Sequence, residues 1–272
     1  ILDSYFKYLV DNNYLYGNPL IAKRTKGQRK KKTKNSIERY FEINQILFIL
    51  ETLDSYKESL ETQDSHSLFM AHRALYLFLL YLHTGMRISE PAGYAMGDLE
   101  NHNGLWQIFV QGKGDEEDEG RNILLGNEFM EALKDFRQSV GLTALPLFEE
   151  KTPLIPQENL TRHISERQIS NIFRWLFDLV AEQQRIIAED FDPTSEEYSQ
   201  LKREVSIYKN ATCHWLRHSH ATYFLQLTDD LQSTQERLGH ADVGTTMIYL
   251  HTLNQKKKNQ ANKFSIAAIQ KK

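Results

Sequence analysis

Two arginines, Arg87 and Arg217, two histidines, His214 and His240, and a late tyrosine, Tyr249, have the side-chain types and the order suited to handling a phosphate. An arginine guanidinium stays charged at any working pH and presents paired N–H groups to non-bridging phosphoryl oxygens. Two of them can hold a phosphodiester while negative charge develops on it. His214 and Arg217 are three residues apart, so on a helix they share a face and can converge on one ligand. A tyrosine beside such a clamp supplies a nucleophile, but a phenol with a reference pKa near ~10 needs a base or concentrated positive charge to be activated. With 13 tyrosines in the chain, packing is the ordinary role of any one of them. Tyr249 is singled out by its place, nine residues beyond His240.

These residues sit in five ordered segments: Thr84-Gly85-Met86-Arg87-Ile88-Ser89-Glu90; Gly112-Lys113-Gly114; His214-Trp215-Leu216-Arg217-His218-Ser219-His220-Ala221-Thr222; Leu238-Gly239-His240; and Thr245 to Tyr249. Their order and spacing, over roughly residues 36 to 255, resemble the tyrosine recombinases, or phage integrase family. That family carries T-G-x-R-x-S-E, G-K-G, H-x-L-R-H-S-x-A-T and L-G-H segments and then a tyrosine. One such match arises easily by chance, whereas five in order do not.

The resemblance implies a fold that is mainly α with a small antiparallel β-sheet, and it implies roles. Tyr249 would be the nucleophile, and Arg87 and Arg217 the phosphate clamp. His214 would be a general acid/base that accepts the phenolic proton, and His240 a hydrogen-bonding partner of the phosphate or nucleophile. Lys113, on a hairpin, would protonate the leaving 5′ oxygen. Glu90 would orient a catalytic side chain. Here the hairpin runs on into Asp115-Glu116-Glu117-Asp118-Glu119 where relatives often have a further basic residue, and Pro91 follows Glu90. Acidity near a phosphate is unfavourable; Lys113 is kept in that role, with the alternative that the hairpin swings it in only on assembly and the acidic tip faces solvent or a partner.

Net charge is −3, which by itself speaks against a nucleic-acid binder. The charge is segregated, however. Lys23, Arg24, Lys26, Arg29, Lys30, Lys31, Lys32 and Lys34 crowd one stretch and Lys256 to Lys258 another, while acidic residues gather at 115–119 and 189–197. A lysine run is ordinarily a solvated linker. In the resembling family the corresponding stretch crosses between two domains that clamp DNA, where its cations contact phosphates without reading sequence. The domains expected are residues 1–20 as the last helix of a helical core-binding domain, 21–35 as the basic linker, and 36–272 as the catalytic domain with a C-terminal tail. The start at Ile1, without an initiator Met and in the middle of a helical pattern, reads as a fragment.

The chain is 40% hydrophobic over 272 residues, enough for a sizeable core, and no apolar run approaches the roughly 20 residues of a membrane span. A cytoplasmic protein is expected. The single Cys213 is expected to be a small buried residue. No P-loop or Mg²⁺-type carboxylate cluster is present, so neither a cofactor nor a metal is expected.

Periodicity predicts the elements that must position these groups. A helix is predicted from about Ser36 through Phe41, Ile46, Leu47 and Leu50, and a second from about Ser67 to His83, stopped by Gly85. Arg87 is then expected at the start of a short helix. Alternation at Trp106, Ile108 and Val110, answered by Asn122 to Leu125, predicts a hairpin with Lys113 in its loop. Helices are predicted over 127–140 and 165–180, and residues 185–208 read as a polar insertion of unknown role. The tail Phe264 to Ile269 is read as docking either on a neighbouring copy or on its own domain.

The function expected is site-specific recombination of double-stranded DNA through a 3′-phosphotyrosine link, by a homotetramer on DNA, with accessory proteins left open. A type IB topoisomerase and a catalytically silent DNA-binding relative stay as alternatives. A metal hydrolase on His214, His218 and His220 is disfavoured, because the Glu of H-E-x-x-H is missing and the arginines would repel a cation.

Overall fold

The computed structural model describes residues 39–60, 65–111 and 120–239. The expected first domain, the basic linker, Lys113, His240, Tyr249 and the C-terminal tail lie outside the described residues. Within them the chain forms seven α-helices and one three-stranded sheet: α1 (Ile43–Ser59), α2 (Ser65–Thr84), β1 (Leu99–His102), β2 (Leu105–Gln111), β3 (Gly120–Leu125), α3 (Asn127–Ser139), α4 (Glu166–Glu189), α5 (Glu196–Asn210), α6 (Cys213–Thr228) and α7 (Leu231–Leu238). Short 3-10 turns at Glu90–Gly93 and Met96–Asp98 join α2 to β1. The mainly helical class with a small antiparallel sheet is as the sequence implied.

Helix α2 is the axis of the domain. Its apolar stripe is so wide that Tyr76, Leu77, Phe78, Leu80 and Tyr81 are all fully buried, and α1, α3, α4 and α6 pack around it. A helix apolar on nearly every side is stable only when surrounded in this way. Burying each such side chain contributes about 1.5–3 kcal/mol, which makes α2 a rigid mount for the segment that follows it.

Residues 39–42, which fall within the expected first helix, are not helical. Helix α1 starts at Ile43, with Glu42 and Gln45 forming a reciprocal capping box. Phe41 is non-helical and fully buried, its ring 5.4 Å from Phe177 and 5.5 Å from Trp215. Its backbone is claimed by α6: the Phe41 N–H donates to Ser219 Oγ at 2.8 Å, and Tyr223 Oη donates to the Phe41 carbonyl at 2.9 Å. Those bonds take the groups a helix would need.

The sheet is a β1-β2-β3 meander in which Ile108 faces Ile123 and Val110 faces Arg121. Strand β1 was not predicted. It is joined to β2 by Asn103-Gly104, both at positive φ, the two-residue turn whose twist matches antiparallel strands. The polar stretch 185–208 is also regular. It continues α4 to Glu189, turns through Asp192, and returns as α5, which Ser195 caps by accepting from the Tyr198 N–H at 3.0 Å.

Candidate functional site

Helix α2 ends at Thr84, and Gly85 takes the left-handed conformation with φ +63° that turns the chain out of the helix. Arg87 lies in the non-helical segment just beyond, before the 3-10 turn rather than on the start of a helix as expected. It is held there by Glu90. One Glu90 oxygen accepts from Arg87 Nη1 at 2.8 Å, the other from the Arg87 backbone N–H at 2.8 Å, and the carboxylate is only 5% exposed. The second arm of the Arg87 fork, Nη2, donates to the carbonyl of Gly239 at 2.9 Å.

Helix α6 supplies two more of the expected residues. His214 and Arg217 lie on its first turns, His214 exposed and Arg217 buried. Arg217 Nη1 donates to the Gly85 carbonyl and Nη2 to the Leu238 carbonyl at 2.6 Å. Both arginines therefore converge on Leu238-Gly239, the residues immediately ahead of His240, and both are oriented by backbone oxygens that cannot rotate away. Gly239, with φ +61°, caps α7, and a Cβ there would lie 2.7 Å from Arg121 Nη1.

Partial desolvation, then the charges of Arg217, Arg87 and Arg39, push the His214 imidazole below its ordinary pKa. It is thus neutral at pH 7 and able to accept a proton. The His218 ring meets His214 edge-on at 4.6 Å and is held at about 4 by burial and then by His214, Arg217 and Arg39. A cavity of about 480 Å³ opens beside this face, lined by Arg87, His214, Arg174 and apolar residues including Phe173.

His220 is turned elsewhere. Its Nδ1–H donates to the Leu82 carbonyl at 2.8 Å, and its Nε2 accepts from Arg237 Nε at 3.1 Å. With both ring nitrogens engaged, His220 cannot join His214 and His218 around a metal, and no His/Cys/Asp/Glu cluster suited to a metal occurs among the described residues. Cys213 is buried, as expected of a small core residue, and burial pushes its thiol pKa up.

The structure thus brings together Arg87, Glu90, His214 and Arg217. It adds Arg121, Arg39 and Arg174, which the sequence reading did not select. Arg121 had a legible signal: it occupies an inward position of β3 in register with the buried Ile123 and Leu125. A cation at an apolar position of a strand must have a partner. Arg39 and Arg174 carry no such mark, since exposed arginines are ordinary.

A mainly helical domain that brings an arginine pair and a neutral histidine together has the groups that breaking and rejoining a nucleic-acid phosphodiester requires. The sequence profile of the phage integrase family matches residues 39–256, and the chain belongs to that family as a tyrosine recombinase catalytic domain. It is 26% identical over 250 residues to the tyrosine recombinase XerC of Lactobacillus delbrueckii subsp. bulgaricus, covering 92% of this chain and 69% of that protein. It is 28% identical over 263 residues to XerD of Listeria monocytogenes, covering 97% and 73%. Among solved structures, the XerH site-specific recombinase bound to a palindromic difH substrate, in a post-cleavage complex, matches with a TM-score of 0.57 at 22% identity. That match covers 85% of this chain and 54% of the XerH chain, so the chain spans about half of that relative. The Tn1549 transposon integrase in complex with a circular intermediate DNA matches with a TM-score of 0.53 at 17% identity, covering 91% and 71%. Both likenesses are of fold. Among the described residues no helix is long and apolar enough to cross a membrane.

Proposed function

We propose that this domain cleaves and rejoins DNA strands at specific sites through a 3′-phosphotyrosyl link to Tyr249. The observation that carries the reading is the convergence of Arg87 and Arg217 on the backbone of Leu238-Gly239, with His214 one helical turn from Arg217. In the proposed reaction Tyr249 Oη attacks the phosphorus and its proton passes to the neutral His214. The bond to O5′ breaks, and Lys113 gives a proton to that leaving oxygen. Arg87 and Arg217 hold the non-bridging oxygens as charge builds, and His240 donates to the phosphate or the nucleophile. Reversal, with a 5′ hydroxyl from a partner strand as the attacking group, reseals the DNA. The energy of the broken bond is kept in the protein–DNA link, so the residues perform the chemistry without a cofactor.

Two duplexes exchanging both strands present four scissile phosphates, each needing its own tyrosine, which supports a homotetramer on DNA. The XerH and Tn1549 integrase structures are of complexes with DNA, which supports double-stranded DNA as the partner. Residues 1–20 would close a helical domain and 21–35 would cross to the catalytic domain, with Lys23, Arg24, Lys26, Arg29, Lys30, Lys31, Lys32 and Lys34 lying on phosphates. A substrate of cellular DNA supports a cytoplasmic location.

The test is covalent capture. The protein is incubated with fragmented DNA of its host in EDTA and denatured, and any attached DNA is sequenced, with Tyr249→Phe in parallel. A discrete attached site that disappears in the Phe variant is the expected result. Scattered sites point to a topoisomerase, and binding with no attached DNA points to a silent DNA-binding relative; either outcome refutes the proposal.

A further inference from the structure

Arg121 is the second residue of β3 and faces inward with its side chain 8% exposed, a position that an apolar residue would ordinarily fill. Its hydrogen bonds have a different logic. Nη2 donates at 2.8 Å to the Glu90 oxygen that also accepts from the Arg87 backbone, and Nε donates at 2.8 Å to the carbonyl of Arg237. Its remaining terminal nitrogen, Nη1, lies 2.7 Å from where a Cβ on Gly239 would be, so the guanidinium packs close against that glycine. One rigid planar group thus ties three distant segments: the Arg87 to Glu90 segment, the root of the β2–β3 hairpin, and the end of α7 whose last carbonyls receive the forks of Arg87 and Arg217.

Geometry makes this an orienting device. Glu90 is held on Oε2 by the Arg87 backbone N–H, and Arg121 adds a second, charged donor to that same oxygen. With Arg121 on Oε2, Oε1 is left facing Arg87 Nη1 at one angle. The same cation fixes the carbonyl of Arg237, two residues before the Gly239 carbonyl that takes the other Arg87 arm. Both partners of the Arg87 fork, Glu90 and the α7 terminus, are therefore held by one guanidinium. We propose that Arg121 is a positioning residue for the phosphodiester reaction, acting through Glu90 and the α7 terminus to set the direction of the Arg87 guanidinium. The proposal rests on the recombinase reading.

The test compares Arg121→Lys and Arg121→Gln with the unaltered chain. Lysine keeps the charge beside Glu90 but has no second, coplanar donor for the Arg237 carbonyl; glutamine keeps one donor and loses the charge. Three quantities are read: the melting temperature, the affinity for the duplex recovered by covalent capture, and the single-turnover rate of covalent attachment to it. Both variants are expected to fold and to bind DNA within about threefold of the unaltered chain. The rate should fall on the order of 100-fold, the scale of a misplacement of about 1 Å at a reacting centre. Pairing Arg121→Lys with Arg87→Lys should add little further loss, since the two act in series. A rate within twofold of the unaltered chain in a folded variant overturns the proposal, as does full additivity with Arg87→Lys. Failure of both variants to fold also overturns it, because Arg121 would then serve the fold and not the site. A separate readout stands apart from activity: ¹⁵N NMR of the Arg87 side chain, whose Nη signals should be distinct in the unaltered chain and averaged by rotation in Arg121→Lys. If the unaltered chain attaches no DNA, the recombinase reading falls, and the NMR comparison still decides whether Arg121 orients Arg87.

Discussion

Gly85→Ala should damage both stability and chemistry, and its size can be worked from three features of one residue. Gly85 has φ +63°, a conformation that costs an L-residue about 1–2 kcal/mol. An added Cβ would lie 2.5 Å from Cδ2 of His220 and 3.2 Å from Cδ2 of Leu238. His220 has no easy retreat, because Leu82 and Arg237 hold its two nitrogens and its ring stacks on Phe224 at 5.7 Å. Overpacking of that kind costs about 1–3 kcal/mol, so the two effects together predict a loss of roughly 2–5 kcal/mol. For a domain of this size that lowers the melting temperature by about 5–15 °C. The carbonyl of the same residue accepts from Arg217, so any shift that relieves the clash drags the clamp with it. Urea denaturation gives the free energy, and covalent DNA attachment at a temperature where the variant is still folded gives the second effect. A loss below about 1 kcal/mol with an unchanged rate of attachment would refute the reasoning, since the backbone would then have absorbed the methyl group without moving Arg217.

Three further outcomes are expected. His220 is held at about 3, chiefly by burial and then by Arg237. A depressed folded pKa means that stability present above the unfolded value near ~6.5 is lost as pH falls toward 3, at up to about 1.4 kcal/mol per unit and about 2 kcal/mol by pH 5. His220→Gln should flatten that acid slope, and parallel urea profiles for the two proteins between pH 7.5 and 4.5 would contradict it. Arg39→Gln removes a cation that disfavours imidazolium, so the NMR titration of His214 should move to higher pH, and an unmoved titration would place Arg39 outside its field. Arg137 is 1% exposed and donates to Glu150 Oε1 and Oε2 at 2.9 Å and to the Thr143 carbonyl at 2.7 Å. Arg137→Ala leaves Glu150 uncompensated and should cost about 3–5 kcal/mol on calorimetry, whereas a loss under 1 kcal/mol would show that loop 143–150 is held by its other bonds.

Much of the fold was legible because its signals are local. The stripe of α2, the alternation in β2 and β3, and the Ser165-Gln168 capping box at the start of α4 each depend on residues within a turn or two of one another. The departures occur where distant groups intervene. Phe41 continues the apolar pattern of α1, yet α6 takes its backbone bonds and draws it into the aromatic core. Residues 185–208 are too polar to show a broad stripe, but α5 needs only a narrow one, since Val205 and Tyr208 are its buried residues and Gln184 bonds Glu204 across the hairpin. Strand β1 does carry a local signal, the Asn103-Gly104 pair at its turn.

For the site, residue type, order and the family resemblance singled out Arg87, Glu90, His214 and Arg217, which the fold gathers in one place, and forked cations for a phosphate are legible at any distance in the chain. Where those cations point is a different matter. The direction of Arg217 is decided by the carbonyls of Gly85 and Leu238, and that of Arg87 by Glu90 and Gly239, groups separated from them by up to 152 positions in sequence. Backbone carbonyls have no residue type to read, and a buried cation such as Arg121 reveals its partner only when three segments meet. Hence the amino-acid sequence by itself determined which chemistry the chain carries, and the tertiary structure alone decided the geometry in which its guanidinium groups are held.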